Sequence, residues 1–158
     1  MLTPDGATNQ LLAVLKETIE GPGEAGSFFL DKNTGLLQTL ETLGLNELGL
    51  ERAFASAAPG RPSIAAHVKH TSFHIHAICA WPRGDHSRRD WPSSFVLENH
   101  DAQTWMALLE ELKFEYADFQ SVIREFASEN DEALGGAVGG IVHVAYHLGA
   151  IRQLIHLV

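Results

Sequence analysis

The segment from about Ala133 to His156 constrains the fold most. Its pattern is helical and apolar nearly all round, with Val138, Ile141, Val142, Val144, Ala145, Leu148 and Ile151 pointing in different directions. A helix with no polar face to give to water is expected to be buried against several neighbours. Gly135, Gly136, Gly139, Gly140 and Gly149 suit close helix contact there, although each costs about 1 kcal/mol of helix propensity. The neighbours must come from the rest of the chain, and it must be able to form them.

Four other stretches can. Leu11, Leu12, Leu15 and Ile19 fall on one face of a helix over about Asn9–Ile19, which Gly21, Pro22 and Gly23 stop. Phe28, Phe29 and Leu30 are expected to anchor the following loop to the core. A second pattern opens near Gly35 with Leu36, Leu37, Leu40 and Leu43, and continues, broken at Gly44 and Gly49, through Leu50 to Ala57. Ser63 is placed to cap a long helix to about Trp81, ended by Pro82 and Gly84. Asp101 is placed to cap another, whose stripe of Trp105, Leu108, Leu109, Leu112, Tyr116, Phe119, Ile123 and Phe126 is the strongest amphipathic pattern in the chain. Arg83 to Asn99 is polar, contains Pro92, and reads as a long connection. No segment alternates as a strand would, and 158 residues fit one domain. The expectation is an all-α, single-domain, four-helix bundle over residues 1–158 with one long crossover.

His143 and His147 sit in the apolar last helix one turn apart, so both imidazoles share a face and can grip one metal ion. Two imidazoles in a dry core are costly unless satisfied, and a metal satisfies them through their lone pairs. The alternatives are hydrogen bonds to other polar groups or a place at a subunit boundary. A second set, His67, His70 and His74, lies on one stripe of the Ser63–Trp81 helix, while His76 points elsewhere. If that stripe faces the last helix, one member completes a three-histidine site. His70, the middle one, is the first choice, with His67 and His74 as supporting, substitute or lining groups. Three neutral nitrogens suit Zn, Ni, Fe or Cu better than Mg or Ca. They also leave a coordination position open, at which water is acidified or a thiolate binds.

Other features exclude more than they suggest. With 11 Lys and Arg against 20 Asp and Glu, and a net charge of −9, the chain lacks the basic stripe that nucleic acid needs. A single cysteine, Cys79, rules out a disulfide framework within the chain and allows a reducing compartment. Asp5 and Glu17 stand where a signal peptide would have a basic segment and then an apolar run, and no stretch of eighteen apolar residues is present. A cytoplasmic protein that spans no membrane is expected. Cys79 reads as a small apolar residue rather than a nucleophile. Trp81, Trp91 and Trp105 read as core or pocket lining, and Arg152 as an ion-pair partner or a carboxylate binder.

The string His143-Val-Ala-Tyr-His147-Leu-Gly-Ala-Ile resembles the last-helix signature of the DinB-like (YfiT-type) superfamily, in which H-x-x-x-H is followed by Gly-Gln and an apolar residue. Here Ala150 stands in place of that Gln. Pro62-Ser-Ile-Ala-Ala-His67-Val-Lys-His70 resembles the family's second-helix motif, where a Ser near the helix start precedes a ligand His by seven residues. The resemblance implies an up-down-down-up four-helix bundle and a mononuclear site on His70, His143 and His147, holding zinc or nickel. It also implies a homodimer. The activities it implies are metal-dependent hydrolysis or transfer using a low-molecular-weight thiol, on a small-molecule substrate. A non-catalytic metal-binding or dimerisation module, with a stress-related role, is the alternative.

Overall fold

The computed structural model describes residues 4–24, 26–44 and 46–158. Residues 1–3, Ala25 and Leu45 lie outside the described residues. Among the described residues six α-helices follow in order: α1 (Pro4–Glu20), α2 (Leu36–Glu41), α3 (Glu47–Phe54), α4 (Ile64–Ala80), α5 (Ala102–Phe126) and α6 (Asp131–Ile155). Among the described residues there is no strand, only an isolated bridge between Gly23 and Gly26. The chain is all-α.

The predicted caps form. Ser63 Oγ accepts from the Ala66 N–H, and Asp101 Oδ1 from the Thr104 N–H at 2.7 Å. Asn130 Oδ1 takes the N–H groups of Glu132 and Ala133, so α6 starts at Asp131, slightly ahead of the expected point. Helix α1 likewise starts earlier than its apolar pattern, at Pro4, a residue that fits a first helical turn. The second pattern divides into α2 and α3. Gly44 between them takes φ +72°, and Gly49 inside α3 lies so close to the Leu43 carbonyl that a Cβ there would sit 2.0 Å from its oxygen. That approach folds α3 back on the chain before it and requires glycine.

The core joins Leu15 and Ile19 of α1, Ile64, Val68 and Ile75 of α4, Trp105, Leu112, Phe119 and Ile123 of α5, and Val144, Leu148 and Ile151 of α6, all fully buried or nearly so. Helix α4 packs on α5 and α6, and α1 on the same two helices. Of the three residues expected to anchor the loop after α1 to the core, Leu30 packs against it and the other two do not. Phe28 and Phe29 are exposed, and the anchor is the buried Glu17 carboxylate, which accepts from the backbone N–H groups of Phe28, Phe29 and Leu30 and from the Ser27 hydroxyl at 2.7–2.9 Å. Burial pushes the Glu17 carboxyl up, but these donors outweigh it and hold it at about 2.

Helix α6 also departs from its reading. Val144, Leu148 and Ile151 are buried, yet Val138, Val142 and Tyr146 are exposed. Of its glycines, Gly140 makes the close contact, where a Cβ would lie 2.7 Å from Phe119 Cζ, while Gly135, Gly139 and Gly149 face open space. By length and composition α6 is long and apolar enough to cross a membrane, a test that the core helix of a soluble bundle also meets.

Candidate metal centre

Helices α4 and α6 bring their histidines face to face. His70 Nε2 lies 3.2 Å from His143 Nε2, which lies 3.2 Å from His147 Nε2. These three residues form the group whose ligand atoms all fall within 4.8 Å of one another, so they could hold an ion. His70 and His147 are buried and His143 is half-buried. Nitrogens 3.2 Å apart, each about 2.05 Å from a zinc ion, subtend about 100°, close to tetrahedral. The donor set fits a transition metal.

The second ring nitrogens explain how the rings are held. Ser94 Oγ donates its one proton to the Trp91 carbonyl at 2.5 Å. It must therefore accept, at 2.6 Å, from His70 Nδ1–H. That fixes the tautomer of His70 and leaves a lone pair on Nε2, the atom that faces His143. Phe95 stacks on the His70 ring with centroids 3.9 Å apart and planes 14° from parallel. His147 Nδ1 pairs with His67 Nδ1 at 2.8 Å. His74 stacks flat on His143, with centroids 3.5 Å apart, and covers a His143 Nδ1 that is buried without a hydrogen-bond partner.

All five imidazoles lose basicity, chiefly through burial, which disfavours the charged ring. His74 and His143 fall to about 4 and His147 to about 3, neighbouring rings adding to the effect of burial. His67 and His70 shift in the same direction. Near neutral pH the cluster presents uncharged rings, the form in which imidazole binds metal.

Beside this cluster the groove between α4 and α6 widens into a cavity of about 1040 Å³. His74 stands at the boundary between the two. Trp81, Trp91, Ile78, Phe119 and Val122 give the cavity apolar walls, and Arg88 and Glu132 also line it. Its size suits a small-molecule ligand.

The structure thus brings His70, His143 and His147 together, sets His67 behind His147 and stacks His74 on His143. His76 is exposed and pairs with Glu115 at 3.1 Å, away from the cluster. Cys79 is buried, and burial followed by the Asp118 and Glu115 charges pushes its thiol up, which fits a packing residue. Trp105 belongs to the core, whereas Trp81 and Trp91 line the cavity. Ser94 and Phe95 were not singled out by sequence, because they lie in a connection that reads as polar. The aromatic and proline content of Trp91-Pro92-Ser93-Ser94-Phe95 was the available hint, and a 3-10 turn over Pro92–Phe95 closes that stretch over His70.

Fold and site define a helical protein with three convergent imidazole nitrogens, one of whose rings, His143, is stacked on the His74 that lines a neighbouring cavity. Comparison with protein-family models, curated proteins and solved structures finds no match.

Proposed function

We propose that the chain is a metal-dependent enzyme of the DinB-like kind, binding one divalent transition metal, zinc or nickel, through His70, His143 and His147. It acts on a small molecule as a hydrolase or as a transferase using a low-molecular-weight thiol. The observation that carries this reading is the meeting of three imidazole Nε2 atoms, two of their separations being 3.2 Å, with a lone pair fixed on His70 by Ser94. Without an ion, His143 Nε2 has at most one proton to share between His70 and His147, which leaves one of the two contacts unmade. With an ion, all three lone pairs are used.

Bound there, a divalent metal supplies an open coordination position at which water or a thiol becomes more acidic. The chain's own residues do the rest. Ser94 and Phe95 hold His70, His67 Nδ1 accepts a hydrogen bond from His147 Nδ1–H, and the cavity walls receive the apolar body of the substrate and exclude water around it. Up-down-down-up topology is part of the proposal. The pairs His67–His147, His70–His143 and Trp81–Glu132 advance in opposite directions along α4 and α6. His76–Glu115 and Arg83–Asp118 advance together along α4, with the turn that follows it, and α5, which supports a parallel pair joined by a crossover.

Elemental analysis of the purified protein, then zinc and nickel titration of the wild type and of His70→Ala, His143→Ala and His147→Ala, tests the centre. About one ion per chain is expected, lost in each variant. Panels of esters, amides and electrophiles with added thiols then test catalysis. A fully loaded protein with no turnover across them would leave a non-catalytic metal module instead.

A further inference from the structure

Trp81 and Trp91 open and close one segment of the chain, and both line the cavity beside the histidines. Each is 42% exposed, although tryptophan is on average well buried. Other groups hold these indoles in place. Trp81 Nε1–H donates to Glu132 at 2.9 Å, and His86 stacks on the Trp81 ring with centroids 4.1 Å apart. Trp91 meets Phe73 edge-on at 5.4 Å between centroids and lies tilted to His74 at 5.6 Å. Both rings are therefore set before a ligand arrives, which lowers the entropy that binding would cost. The charged groups around them are unevenly satisfied. Arg89 pairs with Asp85 at 2.8 Å, the Glu132 carboxylate takes the Trp81 N–H, and Asp90 accepts from the Ser93 N–H at 3.3 Å. Arg88 also lines the cavity, is exposed, and has no partner among the described residues.

We propose that the cavity binds a planar aromatic acid, with its rings against the two indoles and the apolar walls and its carboxylate on Arg88. As the class of substrate, this rests on the metal-dependent reading above; as a binding site, it needs no ion. Fixed indoles give a flat ring a stacking or edge-on contact. A guanidinium offers a carboxylate two parallel N–H donors, and the bond strengthens where apolar walls keep water away. A neutral ring system would leave Arg88 unused. An aromatic cation would be repelled by Arg88, and would find Glu132 and Asp90 already engaged by N–H donors. A divalent ion on three neutral imidazoles would add to the preference for a negative ligand. Of the five clustered imidazoles, His74 alone lines the cavity, and it is half-buried. An acid group held by the exposed Arg88 leaves the rest of the molecule directed inward, toward His74 and the centre against which it stacks.

Isothermal titration calorimetry with 2-naphthoate, the neutral 2-naphthamide and the cationic 2-naphthylmethylamine tests this, on chelator-stripped and on zinc-treated protein. Naphthoate is expected to bind both forms, about tenfold or more tighter than either other probe. Arg88→Ala should remove that advantage while leaving naphthamide within about twofold of the wild type, and Arg88→Lys should keep part of it. Trp91→Ala should weaken naphthoate and naphthamide alike. At Gly136 an added Cβ would meet only Ile78 Cγ2, at 3.9 Å. The side chain of Gly136→Leu therefore has room to enter the cavity, and should abolish binding with an unchanged melting curve. Equal affinity for acid and amide, tighter binding of the amine, no binding of any probe, or a naphthoate affinity untouched by Arg88→Ala would each overturn the proposal. The metal-dependent reading fails by a different result. No zinc taken up, with Arg88-dependent naphthoate binding intact, would remove the metal centre and support the aromatic-acid site. A loaded centre with no probe bound would do the reverse.

Discussion

Lowering the pH from 7.5 to 5.5 separates a buried, pre-deprotonated histidine centre from a cluster of ordinary surface histidines. A metal competes with protons for each ring nitrogen, so zinc affinity falls once the pH drops below the rings' own pKa values. Three ligands at the usual value near 6.5 would each be about nine-tenths protonated at pH 5.5, and zinc affinity would fall about a thousandfold over the interval. In this protein burial, with neighbouring rings adding to it, holds His143 at about 4 and His147 at about 3, so neither takes up protons at pH 5.5. His70 also lies below its usual value, through burial. Even a His70 of ordinary basicity would limit the loss to about tenfold. Equilibrium dialysis against zinc at pH 7.5, 6.5 and 5.5, with metal counted by mass spectrometry and folding checked by circular dichroism, measures it. Calorimetry at pH 6 in buffers of different ionisation enthalpy should show fewer than one proton released per zinc bound. A thousandfold loss, or two to three protons released, would refute the burial argument. No zinc bound at pH 7.5 would remove the centre itself.

Other substitutions test separate links. Ser94→Ala frees the His70 ring and should weaken zinc binding about 10–100-fold with little change in melting temperature, read by the same dialysis. Glu17→Ala removes the acceptor for three backbone N–H groups and should lower stability by up to about 3 kcal/mol in urea titrations at pH 7. Because the folded Glu17 carboxyl is held at about 2, against 4.5 ordinarily, its contribution is complete above pH 4.5 and disappears as the pH falls toward 2. The wild type and Glu17→Ala should therefore converge in stability over that interval. Gly140→Ala places a methyl against Phe119, whose nearest ring atom would be 2.7 Å away. It should destabilise by about 1–3 kcal/mol despite the gain in helix propensity, whereas Gly139→Ala, facing open space, should stabilise.

Much of this was legible in the sequence because the relevant signals are local. Ser63 and Asp101 cap helices through groups three residues away, and His143 and His147 share a face by helix geometry alone. The choice among His67, His70 and His74 was not legible in the same way. All three occupy one stripe of α4, and the register of α4 against α6 decides which Nε2 points at His143. Side-chain pattern also fails where backbone makes the contact. Phe28 and Phe29 look like anchors, yet the loop is tied by their amides to Glu17. The α6 pattern carries a further ambiguity, since an apolar residue facing outward reads the same as one facing the core. Val142 and Val144 are indistinguishable by type, and one is 62% exposed while the other is fully buried.

The charge of the cluster links its geometry to reactivity. The convergent group contains three neutral imidazoles and no carboxylate, and behind His147 stands His67, a neutral acceptor where many metal-ligating histidines have a carboxylate. A divalent ion held there keeps its full charge within a partly buried site, which favours an anion in the open position. Replacing His67 with Asp would put a negative charge behind His147. Metal should bind more tightly, because the ligand becomes more basic, while anions in the open position should bind more weakly, because part of the charge is already neutralised. Cobalt substitution makes both effects visible. Visible-band titrations of the cobalt form with azide should show at least a tenfold weaker anion affinity in His67→Asp than in the wild type, whereas His67→Phe, which adds no charge, should leave azide affinity within about threefold of the wild type. Equal azide affinity in His67→Asp and the wild type would mean that charge at His67 does not reach the metal, and the link drawn between an uncharged cluster and an acidified nucleophile would fail.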